Sequence, residues 1–132
     1  MGDLSKEGSP LTLSDVHSRL MVTIVLFALV AGVWGIATRL RGKGISANYW
    51  GILAVGELLF IAQGALGAYL WLSGARPGRL GIHVLYGILV AITLPGYYSI
   101  SKGRDDTTAS LIYGALCFLI VALSWRAMTT GV

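Results

Sequence analysis

Charge is what this chain has least of. Asp, Glu, Lys and Arg make up 12% of its 132 residues, against about 25% in a soluble domain, so the surface that keeps a globular protein in water is missing. Cysteine is nearly absent as well. Cys117 stands alone, which excludes an internal disulfide and any site built from several thiolates. The ten Lys and Arg residues form no basic block, so nucleic acid is not an expected partner. The chain has no Gly-rich phosphate loop, nucleophile elbow or zinc-protease signature, and nothing in it specifies an enzyme. The opening "MGDLSKEGSPLTLSDVHSR" has neither a basic n-region nor an A-x-A-like site, and reads as a polar tail over 1–19 rather than a cleaved signal.

What the chain does have is hydrophobic residues, 55% of the total, gathered into four runs close to the ~20 residues a bilayer helix needs. They cover about 20–37, 49–72, 83–100 and 109–125. The short polar connections between them force neighbouring spans to run antiparallel. The expected fold is therefore a single all-α membrane domain over 1–132, an up-down-up-down bundle of four transmembrane helices. Tyr49, Trp50, Trp71 and Trp125 lie at span ends, where interfacial aromatic belts form.

Spans one and three start on one face, side A, and finish on side B. Side A carries Lys6, Arg19, Arg76, Arg79 and Arg126; side B carries Arg39, Arg41, Lys43, Lys102 and Arg104. The numbers tie, and the cluster after span one tips side B toward the cytoplasm of a plasma (inner) membrane. The halves also echo each other. His17 opens span one as His83 opens span three, and "YWG" in span two answers "IYG" in span four.

Two constellations carry chemistry. The first is Glu57, in "GELLFIAQG". At about 100° per residue, Tyr49, Gly56, Glu57, Phe60, Gln63, Gly64 and Gly67 share one arc of the helix, which is its buried face. A charged carboxylate at mid-bilayer costs roughly 3 kcal/mol, so Glu57 should be neutral and hydrogen-bonded. Gln63, Tyr97, Tyr98 and Tyr113 are the candidate partners, and together they form a candidate ligand or proton site. The second is the pair His17 and His83, at side A entrances of parallel helices. Opposed imidazoles at one depth hold a b-type haem, but both residues sit near the interface and no pocket motif accompanies them. No cofactor is expected, with haem b as the alternative.

Small residues mark packing faces: Ala31 and Gly35 on span one, and Ser110, Gly114, Cys117 and Ser124 on span four. Pro95 should kink or loosen span three near side B, and Ser14 offers an N-cap for span one. The leading functional expectation is a non-catalytic integral subunit of a larger energy-transducing assembly, respiratory or photosynthetic. Its partners would be other membrane subunits, lipid and quinone. The alternatives are a small cytochrome-like subunit with haem between His17 and His83, and an oligomeric transporter or proton path using Glu57.

Overall fold

The computed structural model describes residues 10–131. Lys6 and the first half of the polar tail lie outside the described residues. The chain folds into four helices, α1 (Leu13–Leu40), α2 (Ala47–Leu72), α3 (Leu80–Ser101) and α4 (Thr107–Thr130). All four are long and apolar enough to cross a membrane. Large apolar side chains such as Leu26, Val30, Leu58 and Ile92 point outward, which is where a bilayer would solvate them. This is an integral membrane four-helix bundle.

Each helix outruns its apolar segment, because polar residues at the ends satisfy the backbone there. Thr12, not Ser14, caps α1: its hydroxyl accepts from the Asp15 amide while the Asp15 carboxylate accepts from the Thr12 amide. That reciprocal capping box starts the helix well before Leu20. Ser46 caps α2 through the Tyr49 amide, and Asp106 caps α4 through Ala109. α3 starts without a side-chain cap. Instead the Arg79 amide donates to the Thr130 carbonyl at 2.9 Å, tying its start to the end of α4. Pro95 removes one backbone donor, yet α3 continues to Ser101. It stops where Lys102 and Gly103 turn left-handed, with φ of 55° and 74°.

Around the bundle the order is α1, α2, α3, α4, with α1 diagonal to α3 and α2 diagonal to α4. α1 and α4 share the most extensive contact, and α2 and α3 the least. The reason is side-chain size. Buried Ala28, Ala31, Gly32 and Gly35 of α1 face Ser110, Gly114 and Cys117 of α4. A Cβ on Gly114 would lie 3.0 Å from the Ile36 nitrogen and 3.1 Å from the Gly32 carbonyl oxygen. The two small-residue faces visible in the sequence thus close on each other. Placing His83 in register with His17 sets Leu94, Tyr97, Tyr98 and Ser101 of α3 where α1 has its four small residues. Of these, Tyr98 meets Trp50 of α2 and Tyr97 meets Tyr113 of α4, ring contacts that hold helices farther apart than glycine does.

Tyr49 is fully buried and is not an interfacial residue. Its ring enters the α1–α4 seam, and its hydroxyl donates to the Ala31 carbonyl at 2.8 Å. On side B the two loops are bonded together: the Ile45 amide donates to the Asp105 carbonyl at 2.7 Å, and the Ser110 hydroxyl to the Lys43 carbonyl at 2.9 Å.

Candidate functional site

The histidines come from diagonal helices and meet in the bundle. Their ring centroids are 6.2 Å apart with planes at 65°. Because α1 starts at Leu13 and α4 runs on to Thr130, His17 and His83 lie inside the helical bundle and are half-buried. Nδ1 of His83 is 2.8 Å from the Ala127 carbonyl oxygen. A carbonyl only accepts, so Nδ1 carries the proton, and in the neutral ring Nε2 is left with its lone pair. Nδ1 of His17 is buried without a hydrogen-bond partner.

The diagonal helices without histidine present small groups to these rings. A Cβ on Gly67 of α2 would lie 3.1 Å from His17 Cε1, and one on Gly131, the residue that ends α4, 2.7 Å from His83 Cε1. Gln63 belongs to this end too. Its amide nitrogen donates to the His17 carbonyl at 2.8 Å, while its oxygen is buried and unpaired. Ser124, one turn deeper than Ala127 on α4, likewise buries an unpaired hydroxyl. Three of the unpartnered polar atoms among the described residues therefore collect at side A.

The second constellation lies toward side B. Tyr97 and Tyr113 meet edge to face at 4.9 Å, Trp50 and Tyr113 at 5.4 Å, and Trp50 and Tyr98 at 5.7 Å. Edge-to-face contacts of this kind bind three helices together. Below this aromatic cluster, Glu57, Tyr98 and Tyr113 line a groove of about 300 Å³ with Leu94 and Pro95. The surface of that groove is almost wholly apolar, and Glu57 Oε2 and the Tyr113 hydroxyl are buried behind it without partners. Ser101 neighbours Tyr113, but its hydroxyl is turned to the Tyr98 carbonyl at 3.4 Å.

Glu57, Tyr98 and Tyr113 are thus brought to one groove, Tyr97 supports it from behind, and Gln63 is directed to the other end of the bundle. The proposed Glu57 hydrogen bond to Tyr or Gln does not form. The cause is angular: Glu57 lies about 80° around α2 from Tyr49, at the edge of the buried face. Gly64, assigned to the same face, is exposed. Sequence reading did not single out Gly67, Ala127 or Gly131 as neighbours of the histidines, nor Trp50 as a groove wall. Gly67 was placed on the buried arc of span two but not beside a histidine, and Gly131 carried no signal. The "YWG"/"IYG" echo was a signal for Trp50, since it pairs Trp50 with Tyr113, and these two rings touch.

Among the described residues no group of three or more His, Cys, Asp or Glu is placed to hold a metal ion. No family model, no curated protein and no solved structure matches this chain.

Proposed function

We propose that the protein is a non-catalytic, electron-carrying subunit of a larger membrane assembly, holding one b-type haem between His17 and His83. One observation carries this reading: the two histidines of the chain oppose each other from diagonal helices at 6.2 Å between ring centroids. Metal–imidazole bonds of ~2 Å put the ring centres of two axial ligands roughly 6 Å apart. The Ala127 carbonyl that fixes the His83 tautomer is the second-shell partner a ligating imidazole uses. Gly67 and Gly131 on the two remaining helices lie directly against the imidazoles, so a macrocycle would enter only where those helices move outward from the rings. The sequence-based expectation of no cofactor rested on histidines near the interface and on the lack of a pocket motif; helices that extend past both histidines support reconsidering the first of these grounds. When bound, the haem would supply one-electron transfer.

Membership of a larger assembly is supported by the outer face of α2. Ala47, Gly51, Ala54, Ala65 and Ala68, with Leu58 and Ile61 between them, recur at heptad spacing and are all exposed. Lipid tails gain nothing from small residues in such a stripe, whereas a partner helix can approach closely. The assembly belongs to the plasma (inner) membrane on this reading, with side B in the cytoplasm. A proton path through Glu57 has less support, because Gln63, the next polar group of α2, faces away toward side A.

The test is spectroscopic. Protein purified in mild detergent from haem-replete cells should show a Soret band that shifts on reduction with dithionite. His17→Ala and His83→Ala should each abolish the bis-histidine spectrum while far-UV circular dichroism is retained. A folded parent protein without a Soret band sinks the proposal.

A further inference from the structure

The two imidazoles differ in how they are held. Nδ1–H of His83 donates to the Ala127 carbonyl, whereas Nδ1 of His17 is buried with no partner. A polar group left in that state loses free energy that one hydrogen bond recovers. Gln63 has the complementary defect. It is 6% exposed, and its Oε1 is buried and unpaired.

The two defects lie together. The Gln63 carboxamide is anchored on His17 itself, with its nitrogen 2.8 Å from the His17 carbonyl oxygen. A carbonyl only accepts, so the amide NH2 must face it and the oxygen is the end left over. That carboxamide also reaches the His17 ring. One turn along α2, a Cβ on Gly67 would lie 3.1 Å from His17 Cε1, the carbon between the two ring nitrogens. Gln63 and Gly67 are four residues apart and share one face of α2, and that face stands against the imidazole. An amide oxygen has no hydrogen to give. The ring nitrogen it bonds must therefore carry the proton, and the buried, unpaired one is Nδ1.

We infer that Gln63 is a positioning residue for His17, its Oε1 accepting from Nδ1–H and leaving the Nε2 lone pair free. The bond is made by turning the ring and the carboxamide toward each other, with α1 and α2 already tied by the existing contact. Both histidines then hold the same tautomer, one fixed by a side chain of α2 and the other by the backbone of α4. A ligating imidazole is oriented in this way, through its other nitrogen. The tautomer is a property of the chain alone; its use in ligation rests on the haem reading.

Long-range 1H–15N NMR of the full chain tests this, because protonated and bare ring nitrogens resonate far apart. The protein is labelled with 15N-histidine in haem-depleted cells and held in mild-detergent micelles at about pH 8.5, where an ordinary imidazole is neutral. Loss of one set of signals in His17→Ala assigns the two rings. In the parent, His17 should be Nδ1–H. Gln63→Leu should return it largely to the Nε2–H form that an unconstrained imidazole favours, while His83 stays Nδ1–H and reports an intact fold. Gln63→Glu keeps an acceptor oxygen and should keep the Nδ1–H form; a role in packing alone predicts that it behaves as Gln63→Leu does. An Nε2–H His17 in the parent overturns the inference, even where Gln63→Leu fails to fold. Unchanged Nδ1–H in a folded Gln63→Leu overturns it too, since another group would then hold the proton. A missing Soret band in haem-replete parent protein sinks the haem reading and leaves these tautomers as they are, so the two failures are separable.

Discussion

Gly35→Ala is the smallest change that tests how the bundle is held. A Cβ on Gly35 would lie 2.6 Å from the Tyr49 hydroxyl, 2.7 Å from Gly114 Cα and 2.9 Å from Gly114 N. Two of these atoms are backbone and cannot swing aside, so α1 and α4 must separate. Overpacking of this kind costs about 1–3 kcal/mol. Displacing Tyr49 also threatens its bond to the Ala31 carbonyl, where an intramembrane hydrogen bond is worth ~0.6 kcal/mol. Against this, alanine is the better helix former by about 1 kcal/mol. The net expectation is a loss of about 1–2 kcal/mol. Gly64→Ala is the control: it lies mid-helix on α2 and its Cβ would meet no atom of the described residues within 4 Å, so propensity alone acts and stability should hold or rise. Reversible unfolding in mixed SDS and mild-detergent micelles, followed by circular dichroism, measures both. If Gly35→Ala unfolds at the same SDS fraction as the parent, the α1–α4 seam is not the close backbone contact described here. Gly114→Ala should lower stability too, and the double variant should be non-additive because the two glycines touch.

Two further outcomes follow from unpaired and capping carboxylates. Glu57→Leu should raise the SDS midpoint, by the order of 1 kcal/mol, because it removes a buried acid that no protein group satisfies; a lower midpoint would mean that Glu57 has a stabilising partner in the fold. Asp106 gives the pH dependence. Hydrogen bonds from the Ala109 amide and the Arg104 side chain hold its carboxyl below the usual carboxylate range. A depressed folded pKa stabilises above the unfolded value of about 4, and that contribution is lost as pH falls through the folded value. Unfolding between pH 7 and pH 2 should show a loss at the acid end that is smaller in Asp106→Asn, which still caps the helix.

Much of the architecture was legible because a bilayer asks a simple question of a sequence. Where charge disappears for about 20 residues, a helix must cross, and the four runs answered it. The helix ends were harder. Thr12 and Asp15 extend α1 through local hydrogen bonds, which hydropathy does not register, and α4 likewise runs five residues past Trp125. Those extra turns put helical neighbours around the histidines, which are half-buried and in contact. Small-residue spacing identified the faces of Ala31 and Gly35 and of Ser110, Gly114 and Cys117. It did not identify them as mates, since spacing defines a face without naming its neighbour. Glu57 was misjudged for a related reason: a wide arc on a helical wheel does not separate its centre, held by Tyr49 and Gly56, from its edge. Gln63 was grouped with Glu57 because both fall on that arc, although six residues carry it about 9 Å along the helix.

The unequal flanks of the bundle make traffic one-sided. Glycine shuts α1 onto α4, while Tyr98 meets the Trp50 ring across the sparser α2–α3 seam, so any apolar molecule that entered there would arrive laterally from the bilayer on side B. Its exchange would then follow its concentration in the lipid and the looseness of the surrounding tails, and would be indifferent to its level in water. Ala54 belongs both to the rim of that opening and to the outer stripe of α2. A helix docked on the stripe would therefore rest against the entrance and set how fast an occupant comes and goes.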